Sequence, residues 1–566
     1  MQVDPKLQVL EHDIDSLDAR LAISDDCYQS LLVELPVSST ISIPMLACTI
    51  TVKSDLLKLV VQELTTLPTG DKSSLQKLFL AGFDYLESVM PLFHRPTFDV
   101  SSELKLVILA VCSLGGILNL SADARDLGLI VYNHIRGGFY PAARDGEYDW
   151  LIAHVPAVLI IEHISYYGLA YQDHGLANVT HGMMIAVYTQ SSFLSQKPCN
   201  LDSRIGTLDE LWKYWIATES NIRHAYSIFT ADIKSSIHFM RPPLLSRNIL
   251  DLPLPCLSRI WQATTAVEWE NEMVRYKSSS KHSGPLKLRS LMEIFLGHSH
   301  PGPEYNNYFE DPVILDILIH AIGSEILDLG HAAPSASSKA IDLLRRSDLV
   351  NGLARWKSYF DQLDLETRET DIAVSIQVTY HLASIFLQEE VSALIAGFEC
   401  SGFEGRTLCI PSNENDDGSG KRGQVKVGKD ACVHAVNITN LYLRTRSPNT
   451  TRSFYENRTA VIACLVLTTY MANPKQPLVS EGNQISNPGI TDRNTAQLLD
   501  FLDERASQNS SANSQNFQAI LATAIQLVES IRDQVALDPG EICLFLYPAA
   551  YRLANASCSS KLLQYN

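Results

Sequence analysis

No two of the 11 cysteines in this 566-residue chain stand in a C-x2-C pair; they are scattered from Cys27 to Cys558. An odd number of widely spaced thiols argues against a disulfide framework, and their spacing supplies no paired ligands for a zinc finger or ribbon. Positive charge is also scarce: 45 Lys and Arg against 63 Asp and Glu give a formal charge of −18 and a pI near 5.3. A surface of that sign repels phosphates, which excludes a broad DNA grip by this polypeptide itself and leaves room only for a local basic patch. The first residues, Met-Gln-Val-Asp-Pro-Lys, lead into an acidic amphipathic stretch, so no secretory signal is read there. The N-x-S/T sequons at Asn119, Asn178, Asn437, Asn449 and Asn457 therefore carry no weight.

Enzyme signatures are missing too: there is no G-x-S-x-G, no H-E-x-x-H and no P-loop. Asp25-Asp26 continues as Cys-Tyr-Gln, without the second carboxylate of a DDxxD magnesium cluster. Gly418-Ser-Gly420-Lys-Arg-Gly423 spells G-x-G-x-x-G, but no strand precedes it and no helix follows to aim N–H groups at a phosphate. Two apolar runs, Leu104 to Leu120 and Leu151 to Ala170, are interrupted by Lys105 and by His154, Glu162 and His163, and read as buried helices, not membrane spans.

What is present is apolar material at helical spacing. Hydrophobic residues make up 46% of the chain, and the length exceeds what a single core usually organises, so an all-α architecture with more than one packing unit is expected. Leu75, Leu78, Phe79, Gly82, Leu86, Val89 and Met90 recur at three- and four-residue steps until Pro91 stops the helix. Phe93-His94-Arg95-Pro96-Thr97-Phe98-Asp99 follows, and Arg95, preceding a proline, is expected to be extended. Thr207 and Glu210 form a capping box, after which Leu211, Trp212, Trp215, Ile222, Tyr226, Phe229, Ile233 and Ile237 mark one face up to Pro242-Pro243. Glu219 lies on that stripe and needs a partner, for which Arg223 one turn later is placed. Leu252 to Cys256 reads as an extended connector before helices that bear Trp261 and Trp269.

The string PLFHRPTFD, with LWKYWIATESNIRHAYSIF at 211–229, LDLPLPCLSRIWQA at 250–263 and TYHLASIFL at 379–387 in order behind it, resembles the middle homology (regulatory) domain of fungal-specific transcription factors. On that resemblance Phe93, His94, Arg95, Pro96, Phe98, Asp99, Trp212, Trp215, Glu219, Arg223, Cys256 and Trp261 are family-motif positions with a structural role. The resemblance implies a nuclear regulator of RNA polymerase II transcription, with a biosynthetic gene cluster as a plausible target and no catalytic, metal or cofactor residues in this chain. Zinc belongs to a DNA-binding module that these residues do not contain, so DNA would be reached indirectly, through an upstream module or a partner protein. A homodimer and a small-molecule effector are the other partners it implies. Two further readings stay open: a helical scaffold that does not act on transcription, and a helical enzyme or small-molecule binder.

The chain divides into an amphipathic, heptad-like helix at 1–24, a linker at 25–70, the regulatory domain at 71–400, a disordered loop at 401–430 and a C-terminal helical region at 431–566. Val3, Leu7, Leu10, Ile14, Leu17 and Leu21 form the heptad seam. Gly137-Gly138 is read as a helix stop, the GHSHPGP string within the Ser-, Lys-, His-, Gly- and Pro-rich residues 277–308 as a solvated loop, and 372–398 as a helix ending near Gly397. His154, His163 and His174, with Asp173, and the pair His298 and His300, have no recognised metal spacing and read as ordinary histidines. Phe517 to Val535 carries a further helical stripe.

Overall fold

The computed structural model describes residues 19–34, 71–119, 122–168, 174–195, 206–239, 241–245, 250–279, 286–299, 305–331, 339–368, 370–388 and 428–443, with residues 302, 456, 459, 460, 462, 463 and 466. Within these the fold is all-α. Among the described residues the one β-type pairing is an isolated antiparallel bridge between Pro253 and Lys287. The heptad seam up to Leu17, the 401–427 loop with its G-x-G-x-x-G, and the 517–535 stripe lie outside the described residues.

The stretch expected to be a linker opens with a helix, α1 (Asp25–Glu34), preceded by a 3-10 turn at Ala19–Leu21. Leu21, Ile23 and Leu31 are buried in the main core. Gln76 fixes this segment from the next helix, accepting from the Ile23 N–H at 2.6 Å and donating to the Leu21 carbonyl at 2.9 Å. That helix, α2 (Asp71–Val89), packs on α3 (Lys105–Leu118), which in turn packs on α4 (Ala122–Arg144). Glycines set both crossings. A Cβ at Gly82 would overlap the Val111 carbonyl oxygen and one at Gly115 the Leu78 carbonyl oxygen, so the two backbones touch where no side chain intervenes. Ser113 Oγ then donates to the Gly128 carbonyl of α4 at 2.8 Å.

Gly137-Gly138 does not stop α4. The helix runs through it to Arg144, with Phe139 fully buried, and ends where Gly146 takes a positive φ of 78°. The second apolar run is divided: α5 (Tyr148–Ala153) breaks at His154 and α6 (Val155–His163) starts with Pro156 in its first turn, ending in a π-turn at Ile164–Gly168. No described helix is long and apolar enough to cross a membrane.

Helix α7 (His174–Gln190) lies on α4, and the 31-residue α8 (Leu208–His238) crosses α6 and a later helix, α11. The Thr207–Glu210 capping box is present in both directions. Within the polar residues 277–308 the chain forms α10 (Leu288–Phe295), after α9 (Ala266–Ser279); Leu288, Leu291, Met292, Ile294 and Phe295 are all buried, an apolar spacing too short to stand out among Ser, Lys and Gly. The helix α11 (Pro312–His331) carries α12 (Lys339–Phe360) and α13 (Asp371–Phe386), and α13 packs on α14 (Lys429–Leu443). Helix α13 ends at Phe386 instead of near Gly397. The indole of Trp356, fully buried, donates to the Leu315 carbonyl at 2.9 Å and fixes α12 against α11.

Candidate functional site

The PLFHRPTFD segment leaves α2 at Pro91 and forms a 3-10 turn over Arg95–Thr97, where Arg95 is expected to be extended. Pro96 at the second position of the turn fixes a φ that suits it, and the N–H groups of Thr97 and Phe98 close onto the His94 carbonyl at 3.1 and 3.0 Å. His94 and Phe98 on either side are extended. The turn throws its aromatics inward. Phe98 lies 4.8 Å from Phe83 and 5.0 Å from Phe93 between ring centroids, against α2. Asp99 caps the following turn, accepting from the Ser101 N–H at 2.9 Å and its hydroxyl at 2.7 Å. Arg95 turns outward to Asp84 and Glu87 of α2, while the Pro96 carbonyl accepts from Arg20 of the N-terminal turn.

His94 is the inward pivot. Its ring sits edge-on to Trp212 of α8 at 5.8 Å and to Trp261 at 4.7 Å, and Nδ1 shares a hydrogen bond with the Thr97 hydroxyl at 2.7 Å. Burial pushes its pKa down to about 4, against the raising effect of the Trp261 and Ala263 carbonyls, so the ring is neutral at physiological pH. His224 of α8, also lowered to about 4 by burial, donates from Nε2 to the Leu92 carbonyl at 3.0 Å.

Behind His94 the expected Glu219–Arg223 pair is present. Arg223 Nε donates to Glu219 Oε1 at 3.0 Å, and the same oxygen accepts the Cys256 N–H at 2.8 Å. Arg223 reaches the Cys256 carbonyl at 2.9 Å and lies 4.4 Å over the Trp261 ring. Trp215 packs against Trp261 and Trp269. Of the twelve motif positions, His94, Trp212, Trp215, Glu219, Arg223, Cys256 and Trp261 thus form one cluster. Phe93, Phe98, Asp99, Arg95 and Pro96 hold the turn that delivers His94 to it. Burial drives the Cys256 thiol well above its ordinary value, which leaves it without thiolate character. The cluster joins α2, α8 and the connector before α9; none of these groups is poised as a nucleophile or a general base.

Two polar centres were not read from the sequence. Asp311 accepts from the Ser258 N–H at 2.5 Å and its hydroxyl at 3.0 Å, and from the Val313 N–H at 3.0 Å. An Asp before Pro312 is an N-cap signal that could have been found. The other is His181 on α7, held between Glu162 of α6 (Nδ1 to Oε2, 3.2 Å) and Asp232 of α8 (Nε2 to Oδ1, 2.8 Å), all three buried. Burial alone would lower His181, but the two carboxylates raise it to about 9. Asp232 also accepts the Leu244 and Leu245 N–H groups at 2.8 Å. These residues are distant in sequence and share no spacing rule.

Among the described residues no group of three or more His, Cys, Asp or Glu is arranged to hold a metal ion. His154 stacks on Trp150 at 4.3 Å, His163 bonds the Tyr85 hydroxyl at 2.8 Å, and His298 lies 3.7 Å from Asp348. Asp173 and His300 lie outside the described residues.

An all-helical unit locked by a buried aromatic and ionic cluster is the class that the fold and site define. Residues 83–358 match the family described as fungal specific transcription factor domain. Similar curated proteins are a transcription factor of Gibberella fujikuroi, 23% identical over 261 residues, which cover 44% of this chain and 32% of that protein. The nicotinate catabolism cluster-specific transcription factor of Emericella nidulans is 22% identical over 367 residues, covering 60% of this chain and 40% of that protein. Zinc finger protein klf1 of Schizosaccharomyces pombe is 21% identical over 239 residues, 41% of this chain and 29% of that protein. The matched part spans less than half the length of each of these relatives. No solved structure matches.

Proposed function

We infer that this chain is the regulatory portion of a nuclear transcription regulator acting on RNA polymerase II genes, with a gene cluster for small-molecule metabolism as its target. The observation that carries this reading is the family match over residues 83–358, which contains the turn, α8 and the His94–Glu219–Arg223 cluster. The same match argues against a catalytic role. The acid excess of the chain and its lack of C-x2-C pairs support a reading in which DNA is contacted by a zinc module outside these residues or by a DNA-binding partner, with self-association as the alternative way to present two such modules. An effector bound by the helical domain is the input.

The test is deletion of the gene followed by transcript profiling, with chromatin immunoprecipitation of a tagged protein. A confined set of transcripts that changes, with the protein enriched at their promoters, is the expected result. Unchanged transcripts, or a tagged protein excluded from the nucleus, would overturn the reading in favour of a helical scaffold.

A further inference from the structure

A cavity of about 70 Å³ lies between the end of α2, α6, α8, α11 and the start of α13. Its walls include Leu159, Tyr166, Tyr226, Ile317 and Ile372, and Glu162 and Lys234 are among its polar lining. Glu162 is only 5% exposed. Its Oε2 is turned to His181, while Oε1 is buried and has no hydrogen-bond partner among the described residues. A buried carboxylate oxygen left unanswered is costly, and in a lined cavity it marks the place where a donor is missing.

The surrounding charges say which kind of donor. His181 is shared between Glu162 and Asp232, so two carboxylates face one imidazolium. Asp232 spends its other oxygen on the Leu244 and Leu245 N–H groups, which puts the unanswered acceptor on Glu162. Lys234 faces Asp316, whose carboxyl it and His320 bring down to about 2 against the raising effect of burial. Arg241 lies over the Tyr166 ring and is committed to Asn178 at 2.8 Å and Ser235 at 2.5 Å. The cavity, about 70 Å³, has room for a molecule of a few heavy atoms.

We propose that this cavity binds a small primary amine as its ammonium ion, donating to Glu162 Oε1 with its short apolar body against Leu159, Ile317 and Ile372. An ammonium is the strongest donor for an isolated carboxylate oxygen, and the tyrosine rings in the wall favour a cation over an anion. The site deepens the proposed function by naming the chemistry of its effector and rests on that reading only for its biological meaning; binding itself is measured on purified protein without DNA.

The experiment is a thermal melt and a calorimetric titration of the full chain with ethylammonium chloride, and separately with sodium propionate at equal ionic strength. Saturable ethylammonium binding that raises the melting temperature by about 2 °C or more is expected, with no such effect of propionate. Glu162→Gln, which keeps shape and removes charge, weakens it by about tenfold or more. Ile372→Phe, placed at the half-buried edge of the cavity, abolishes it even if Glu162→Gln fails to fold. Absence of ethylammonium binding would mean that Oε1 is met by buried water and would overturn the proposal, as would equal binding of propionate or binding that survives both variants. A failed transcript experiment with intact ethylammonium binding would sink the functional reading alone.

Discussion

Glu219 and Arg223 are one helical turn apart on α8, joined by a 3.0 Å hydrogen bond, and neither side chain exceeds 5% exposure. The pair does more than neutralise itself. Glu219 Oε1 takes the Cys256 N–H and Arg223 donates to the Cys256 carbonyl, so both backbone groups of a connector residue are satisfied by a helix 33 or more positions earlier. Burial raises the Glu219 carboxyl, and Arg223 and the Cys256 N–H oppose it. Removing the carboxylate leaves a buried guanidinium and an orphan N–H. Glu219→Ala is expected to lower stability by about 3–5 kcal/mol, and Glu219→Gln by less, because the amide oxygen still accepts from Cys256. Denaturant unfolding of the three proteins checks this; equal midpoints would show that the pair is not structural.

That pair was legible because a carboxylate on an apolar stripe demands a partner and helical geometry names the position. The same logic found the stop at Pro91 and the capping box of α8. It failed where the deciding contact is long-range. Gly137-Gly138 looks like a helix terminus, but burial of Phe139 carries α4 past it to Gly146. The α10 stripe is masked by its polar surroundings, and the Glu162–His181–Asp232 centre joins three helices whose crossing no local pattern encodes. The 3-10 turn at Arg95 shows a preference before proline overridden by bonds to the His94 carbonyl.

The glycine crossing yields a paired prediction. Gly115→Ala drives a methyl into the Leu78 carbonyl of α2 and is expected to cost about 1–3 kcal/mol, or more where neither backbone yields. Gly138→Ala meets nothing within 4 Å inside α4 and is expected to stabilise by about 0.5–1 kcal/mol through helix propensity. Melting temperatures of the two variants should move in opposite directions. A shift of the same sign and size in both would mean that close approach does not set the α2–α3 packing.

Stability should fall on both sides of neutrality, for different histidines. His181, raised to about 9, holds its proton in the folded state after the unfolded chain, near 6.5, has lost it. Its contribution is full below about pH 6.5 and is lost as pH rises through about 9. His94 and His224, lowered to about 4 by burial, and His163, lowered to about 3 by burial and Lys234, are held neutral. The unfolded chain protonates first, so their contribution is full above about pH 6.5 and is lost as pH falls toward 4 and 3. Unfolding midpoints between pH 4 and 10 measure both limbs. In His181→Gln the alkaline limb should flatten while the acid limb persists, and an unchanged alkaline limb would remove His181 as its source.

Within the turn itself the most conspicuous charge is not where the stability resides. Arg95 is 41% exposed in its side chain and pairs with Asp84 and Glu87, which are 38% and 49% exposed. Solvent screens such pairs, so Arg95→Ala is expected to cost about 0–1 kcal/mol. Phe98 is 6% exposed and touches Phe79, Phe83 and Phe93, so Phe98→Ala removes the contact that anchors the turn on α2 and is expected to cost about 3–5 kcal/mol. Releasing that anchor also frees His94 from Trp212 and Trp261, so the tryptophan fluorescence of the folded protein should change in Phe98→Ala and hold in Arg95→Ala. If instead Arg95→Ala keeps full stability and loses the effect on target transcripts, the guanidinium serves a contact on the outer face of the turn, beside the groove lined by Arg20, Ser258 and Thr264. Equal destabilisation by both variants would place the Arg95 ion pairs, rather than the Phe98 contacts, at the base of the turn.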